Sequence, residues 1–472
     1  MRYGTLAPAR RVLATPRVRV AVVSLGVCIA SVASAQPAAR AMSLHEAIAY
    51  ARVHQPSLAA ARARVAVAVE EAQLPSAAWR PLIVAGAELG IGTSNNTTTS
   101  YGGPLGFDIP RIGGTQANAT PSWSPEASSL AGVGVHQELY DFGRLSAQAR
   151  ALDLFARATA EDAQLADLDL TLYVEESFYA VAGAHAVLQA SEAAVARATA
   201  HRDFAKAGVD AKLRAPIDLT RAEADLARFE VDRVRAQGAL TTAQAVLAAA
   251  IGAPDAAIDS GADDVTYPAA PPLDVLAREL DRRDPSLRAA FDTLDGQRAV
   301  TDSIVRELLP DLSLSAGLTG RAGGAAATGG QSTPAGDGFV PDVPNWDAMV
   351  VVSWPLFDRV VNVQAETSRR LEHVRAAELD AQREKLRGIG AQAYVDLDVA
   401  QSALPALQRA VDAARANQAQ ADARFRGGLG TIIELTDSEA LLTDAEIQLA
   451  IGQFQLSRAR ARVARAAAEV VP

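Results

Sequence analysis

Residues 217–226, IDLTRAEADL, return as residues 433–442, IELTDSEALL, 216 positions later (433−217). Six of the ten positions are identical. A repeat over such a distance predicts that one structural unit occurs twice in the chain.

Earlier blocks repeat in the same order at slowly changing offsets. Leu44, Pro56 and Pro81 match Leu273, Pro285 and Pro310 at an offset of 229 (273−44), and Leu139-Tyr140-Asp141 matches Leu356-Phe357-Asp358 at 217 (356−139). The first copy therefore carries 12 extra residues (229−217) before this last block. We predict two copies of one helix, strand, strand, helix unit, residues 36–252 and 273–472, with a linker at 253–272.

Two strands are predicted in each copy. Residues 312–319, LSLSAGLT, alternate apolar with small or polar side chains, as in a strand with one apolar face. The same period predicts strands at about 82–92, 131–139, 311–319 and 348–354. Most reach the length of a tilted bilayer crossing, and the last is short unless it extends into its loop. Residues 93–129 and 320–346, rich in Gly, Ser, Thr, Asn and Pro, are predicted to be external loops.

Long helices follow the strands of each copy. Residues 144–207 and 361–426 are rich in alanine at spacings of three and four, and each would extend on the order of 100 Å. Glycine follows both, and returning helices are predicted at 216–251 and 431–468. Such alanine spacing lets helices pack closely in coiled-coil fashion, and Pro405 inside the second long helix predicts a bend or local unwinding.

The beginning of the chain resembles a secretory signal peptide. Residues 1–35 contain five arginines and no acidic residue, then an apolar run, then Ala33-Ser34-Ala35. Cleavage before Gln36 would change the formal charge from −10 to −15 (−10−5) and remove the single cysteine, Cys28. An acidic, cysteine-free mature chain excludes disulfides and makes nucleic acid a poor partner.

The predicted sheet requires other copies of the chain. Four strands with an apolar face cannot stay open in lipid, because the edge strands would expose unpaired backbone groups. Two or three copies would each close a barrel, of about 8 or 12 strands. The periodicity does not choose between them.

The chain resembles the TolC family of outer-membrane efflux proteins over essentially its whole mature length. The resemblance rests on three segments: residues 43–47 (SLHEA) with Pro56, residues 139–144 (LYDFGR), and Gly428 followed by residues 433–435 (IEL) with Glu439 and Ala440. It implies a mainly helical fold with a small β part, a homotrimer with a 12-strand barrel, and a long α-helical barrel that meets a periplasmic adaptor and an inner-membrane transporter.

The resemblance also implies a periplasmic gate at the second turn. The family's carboxylates correspond to Glu434 and Asp437, whose spacing of three puts them on one helical face. The family's tyrosine corresponds to Phe425, near Gly428, and its arginine corresponds to Gly430, so the usual polar links are missing. The alternative is that both acids are ordinary solvated residues at a helix start.

Other candidate sites are sparse. His136 and Glu88 are predicted on the polar strand faces and could line the channel lumen. The six histidines show no metal-ligand spacing, so no metal, cofactor or catalytic site is predicted. The leading hypothesis is the exit duct of a tripartite efflux system for small molecules. The alternatives are the outer-membrane component of a type I protein secretion system and a soluble periplasmic coiled-coil scaffold.

Overall fold

A computed structural model of the chain describes residues 40–92, 123, 126–263, 265–267, 271–322 and 343–468. The signal peptide predicted for residues 1–35 lies outside the described residues, as do most residues of the predicted loops.

The first copy contains three short helices, two long strands and two long helices. In chain order they are β1 (Arg40–Met42), α1 (Leu44–His54), α2 (Pro56–Glu71), α3 (Leu74–Ala78), β2 (Leu82–Gly92), β3 (Glu126–Tyr140), α4 (Arg144–Asp210) and α5 (Pro216–Ala250). Ser43 and Glu46 form the capping box of α1, since the Glu46 N–H donates to Ser43 Oγ and the Ser43 N–H to Glu46 Oε2, both at 3.2 Å.

The second copy follows a short strand, β4 (Ile258–Ser260), and has the same order except that two helices, not three, precede its long strands. Its elements are α6 (Leu273–Arg283), α7 (Pro285–Arg306), β5 (Asp311–Ala322), β6 (Val343–Ser353), α8 (Arg359–Arg426) and α9 (Ile432–Ala466). The mainly helical fold with a small β part is confirmed. Helix α8 is continuous through Pro405. None of the helices in the described part of the chain is both long and apolar enough to cross a membrane.

Equivalent contacts recur in the two copies. The side chain of Gln137 donates to the Trp79 carbonyl at 2.5 Å, and that of Trp354 to the Leu308 carbonyl at 3.2 Å. These are the same positions of the repeat, at offsets of 217 (354−137) and 229 (308−79). The offsets read from the sequence therefore describe three-dimensional equivalence.

The four long strands form one antiparallel sheet in the order β2-β3-β5-β6. Strand β3 begins at Glu126, earlier than the predicted 131, because its first residues pair with the far end of β2. Strand β6 spans Val343–Ser353 and not 348–354. Its pairing with β5 continues before residue 348 as far as Val343, which pairs with Arg321 of β5. The lengths of these strands are set by backbone pairing with the neighbouring strand. The alternation of side chains in the sequence does not reveal that pairing.

The segment 253–272, predicted as a plain linker, contains a strand. Strand β4 pairs in parallel with β1, so that residues near both ends of the first copy are joined. Two side-chain contacts tie the segment to α4: His185 Nε2 lies 2.7 Å from Asp259 Oδ1, and the Tyr267 hydroxyl donates to Glu175 Oε1 at 3.0 Å. Burial raises the pKa of Glu175 to about 7.

The largest core cluster lies where α1, α4, α5 and β4 meet. Its fully buried side chains include Leu44, Ile48, Phe178, Leu247 and Ile251. Elsewhere the long helices pack through small clusters of alanine and leucine. The core therefore anchors the middle of α4. Helices α4 and α8 contain 67 and 68 residues and extend on the order of 100 Å.

Replacing Gly252 should weaken this core. Gly252 has φ +82°, and a Cβ there would lie 2.8 Å from the His54 carbonyl oxygen. We expect Gly252→Ala to lower the free energy of unfolding by about 2 kcal/mol, because alanine disfavours this conformation. The control is Gly238→Ala, a helical position with open space around it, which should raise the thermal midpoint slightly. Equal midpoints by circular dichroism at 222 nm would contradict the prediction.

Candidate functional site

Two helical turns lie against each other at one end of the molecule. The first, residues 211–215, joins α4 to α5, and the second, residues 427–431, joins α8 to α9. We call this the turn end, and the opposite end the sheet end. Gly428, with φ +73°, ends α8, and the N–H groups of Leu429 and Gly430 donate to the Arg424 carbonyl at 2.9 and 3.0 Å. Glycine suits this left-handed position.

The predicted gate residues occupy different environments at the turn end. Glu434 lies in the first turn of α9, and its Oε2 is 3.5 Å from Arg424 Nη2, with both side chains about half exposed. Asp437 is exposed one turn further along α9. Phe425 is fully buried and packs with Ala421, Ile432 and Leu435. The structure thus brings Glu434 to an arginine and Phe425 into a core, and it leaves Asp437 exposed.

An arginine from the first turn binds Phe425. The guanidinium carbon of Arg214 lies 3.7 Å from the centroid of the Phe425 ring and 5.4 Å from that of Phe204. Its Nη2 also donates to the Phe425 carbonyl, and its Nη1 is 3.9 Å from Asp218. A largely buried cation between two rings is a favourable cation–π contact, so Arg214 links the two turns.

Sequence reasoning missed Arg214, although the repeat contains the signal. At the offset of 216, Arg214 is the counterpart of Gly430 (214+216), the position where the family has its arginine. The arginine is thus present in the first copy of the repeat. Glycine at 430 has a role of its own, because a Cβ there would lie 3.2 Å from Glu434 Oε2 and crowd its contact with Arg424.

A buried charged cluster lies behind the turn end, between α4, α8 and α9. Glu439 is only 3% exposed. It accepts from Arg197 Nε at 2.7 Å and Gln418 Nε2 at 2.6 Å, and His201 Nε2 lies 2.9 Å from its Oε1. Burial acts to raise the pKa of Glu439, but the hydrogen bonds from His201 and Arg197 outweigh it and hold this pKa below its ordinary value. The cluster fastens α4 to the second copy.

The sheet has one apolar and one polar face. Residues paired across the strands share a face, and most exposed apolar residues lie on one, while Leu82 and Val351 lie on the other. The apolar face contains Ile83, Leu89, Val133, Leu318, Trp346, Val350 and Val352. His136 lies on the other face, between Leu82 and Ser315 in the register. Glu88 of β2 pairs with Leu130 of β3, six residues from His136. The lumen candidates are therefore separated from the gate candidates by the length of the long helices.

The dimensions of the apolar face match a bilayer. Trp346 and Trp354 are exposed by 79% and 58% and lie eight positions apart (354−346), or about 26 Å along an extended strand. At the strand tilt of roughly 35–45° found in membrane barrels, this distance corresponds to about 20 Å of membrane depth. Aromatic residues flank the apolar band of such barrels, which is roughly 25 Å tall.

The strand ends also give the tilt of the sheet. Leu82, where β2 begins, is level in the register with Met349, but β6 continues four residues further to Ser353 (353−349). Four residues are about 13 Å, and three strand spacings are about 14 Å. If the strand ends lie at one membrane level, the strands tilt by about 40°, within the range of membrane barrels.

Neutralising Glu439 should loosen the turn end at neutral pH. Glu439→Gln leaves Arg197 without its closest carboxylate, so we expect a loss of about 1–3 kcal/mol in unfolding free energy at pH 7. A carboxylate with a lowered pKa stabilises the fold above its ordinary pKa near 4.5 and loses this effect as the pH falls through the lowered value. The difference in thermal midpoint should therefore shrink below pH 4.5. Glu192→Gln, an exposed site on α4, is the control, and a pH-independent difference would contradict the account.

Known proteins resemble this chain in sequence pattern and in fold. The sequence pattern of the outer membrane efflux protein family matches residues 47–253 and 276–469, which is most of the chain and covers both copies of the repeat. No curated protein sequence matches significantly.

Several solved structures share the fold. The outer-membrane channel OprN superposes with a TM-score of 0.74 at 23% identity, covering 90% of each chain. VceC of Vibrio cholerae gives 0.73 at 18% identity, over 90% of this chain and 96% of that one. The CmeC channel of Campylobacter jejuni gives 0.73 at 14% identity, over 90% and 85%.

These matches agree with the membrane-facing sheet and the long helices. Among the described residues, no group of three His, Cys, Asp or Glu side chains could hold a metal ion. The chain belongs to the outer membrane efflux protein family, whose members are non-enzymatic conduits in the outer membrane.

Proposed function

We propose that three copies of this chain form the exit duct of a tripartite efflux system for small molecules. Members of the family work with a periplasmic adaptor and an inner-membrane transporter and are typically trimers. The observation that carries the proposal is the open sheet. Its exposed apolar face suits lipid, and no strand of the described residues pairs with the outer edge of β2 or of β6.

Closure of the barrel follows from those edges. Unpaired backbone groups cost several kcal/mol each in hydrocarbon, so β6 of one copy pairs with β2 of the next. Twelve strands from three copies fall within the range of membrane barrels, and the tilt of about 40° is typical of them. The polar face with His136 and Glu88 then lines the lumen.

The long helices extend the duct into the periplasm. Helices α4 and α8, with their returning partners α5 and α9, place the turn end on the order of 100 Å from the sheet. The turn end is then the entrance, where adaptor and transporter deliver the substrate.

We further propose that the turn end is the gate. Glu434 and Asp437 from three copies would bring six carboxylates to one aperture, which attracts cations and repels anions. Arg214 holds the two turns of each copy together in the closed form, and release of its contacts with Phe425 accompanies opening. The exposure of Glu434 and Asp437 supports the first role, and the geometry of Arg214 supports the second.

Fractionation tests the duct itself. The mature chain should appear in the outer-membrane fraction as a trimer, and recovery from the soluble periplasm would favour the coiled-coil scaffold instead. A deletion strain should become more susceptible to drugs or detergents. Unchanged susceptibility with loss of a secreted protein would favour type I secretion.

Removing Glu434 and Asp437 tests whether their six carboxylates form a ring at the entrance of the proposed trimer. In planar bilayers we expect Glu434→Ala/Asp437→Ala to weaken channel block by a polyvalent cation at least tenfold, because the cation loses its counter-charges. The control is Glu192→Ala/Asp444→Ala, which removes the same net charge at exposed positions away from the turn end. Block that is equally strong in both variants would show that the ring is misplaced.

Removing Arg214 tests the link between the turns. A cation–π contact and a hydrogen bond together contribute about 2 kcal/mol, so Arg214→Ala should raise the ratio of open to closed channels by roughly tenfold or more. Arg221→Ala, which removes an exposed arginine from α5, is the matched control. An unchanged open probability in Arg214→Ala would remove the link from the gate.

A further inference from the structure

The sheet has an internal seam where the two copies of the repeat meet. Strand β3 pairs with β5 there, and Arg306 at the end of α7 fills the junction below them. Its Nη1 donates to the Phe142 carbonyl at 2.7 Å, and its Nη2 lies 3.1 Å from Asp302. The charge of Arg306 is therefore paired within the chain.

The repeat relates the internal seam, between β3 and β5, to the proposed seam between β6 of one subunit and β2 of the next. There the position of Arg306 is taken by Ala77 (306−229), which cannot fill the junction. The position of Leu309 becomes Arg80 (309−229), and that of Phe142 becomes Arg359 (142+217). Two apolar positions of the internal seam are thus arginines at the subunit seam, one from each copy.

These two arginines lack a counter-charge. Both are exposed, and within the described part of the chain neither makes an ion pair. Closing the barrel sets the end of β6 beside the start of β2 of the next copy. It thereby brings Arg359, the first residue of α8, near Arg80, which lies two residues before β2. Two like charges at one seam repel each other unless an anion lies between them.

The surroundings of the arginines indicate the kind of anion. Trp79 and Trp354 are exposed by 36% and 58%, and Phe357 by 80%. Above them the apolar face continues through Val352 and Val350. A ligand at this place meets cations at one end and apolar or aromatic surface at the other, which is the arrangement of a phospholipid in a membrane interface.

We infer that each subunit seam binds the phosphate headgroup of a phospholipid from the periplasmic leaflet, between Arg359 of one copy and Arg80 of its neighbour. The inference rests on the trimer proposed above. Arginine forms charge-assisted hydrogen bonds with phosphate, and Trp79 and Trp354 flank the acyl chains. Three such sites per trimer join the subunits at the membrane surface.

Native mass spectrometry of the purified full-length trimer with phosphatidylglycerol tests the site. We expect up to three retained lipids per trimer, and at least tenfold weaker retention in Arg80→Ala/Arg359→Ala. The control is Arg64→Ala/Arg233→Ala, which removes two exposed arginines from α2 and α5 and should retain lipid like the natural chain. Equal retention in the two double variants would overturn the inference.

Two further results distinguish phospholipid from free phosphate and failure of the seam site from failure of the trimer. Excess inorganic phosphate should not displace the lipid, and complete displacement would mean that the site binds free phosphate and not phospholipid. The same spectra report the oligomer. Trimers without retained lipid would refute the seam site and leave the efflux duct intact, whereas monomers alone would refute the trimer and the seam together.

Discussion

The unpaired backbone at the two edges of one sheet constrains the rest of this structure. In water, the N–H and C=O groups of β2 and β6 could bind solvent, but in hydrocarbon they have no partner except another strand. The apolar face of the sheet commits it to hydrocarbon. The proposed closure by further copies would satisfy these groups and give a channel whose wall changes chain at every fourth strand.

The helices meet a different requirement, since the wall that they form must be long and only about one helix thick. Alanine and glycine allow close approach of α4, α5, α8 and α9, and a few buried aromatic side chains pack between these helices. Phe178 stabilises the middle and Phe425 the turn end. Polar contacts such as Glu439 with Arg197 then fix which helices are neighbours.

Much of this architecture could be predicted from the repeat. The matched residues identified the two copies, and the period of the side chains within each copy then identified both hairpins and both long helices. The pairing of β1 with β4 escaped prediction, since three-residue strands far apart in sequence leave no periodic signal. The contact of Arg214 with Phe425 was not predicted for another reason. It joins non-equivalent positions of the two copies, whereas the offsets of the repeat relate only equivalent positions.

The placement of Arg214 affects how a duct of this kind can move. The proposed trimer would have six helical hairpins at its entrance, and six independent parts would open it through many partly open forms. With the first hairpin of each copy held to the second by one guanidinium, the number of independent parts falls to three. A duplicated chain thereby gains concerted motion from a residue that only one of its halves retains.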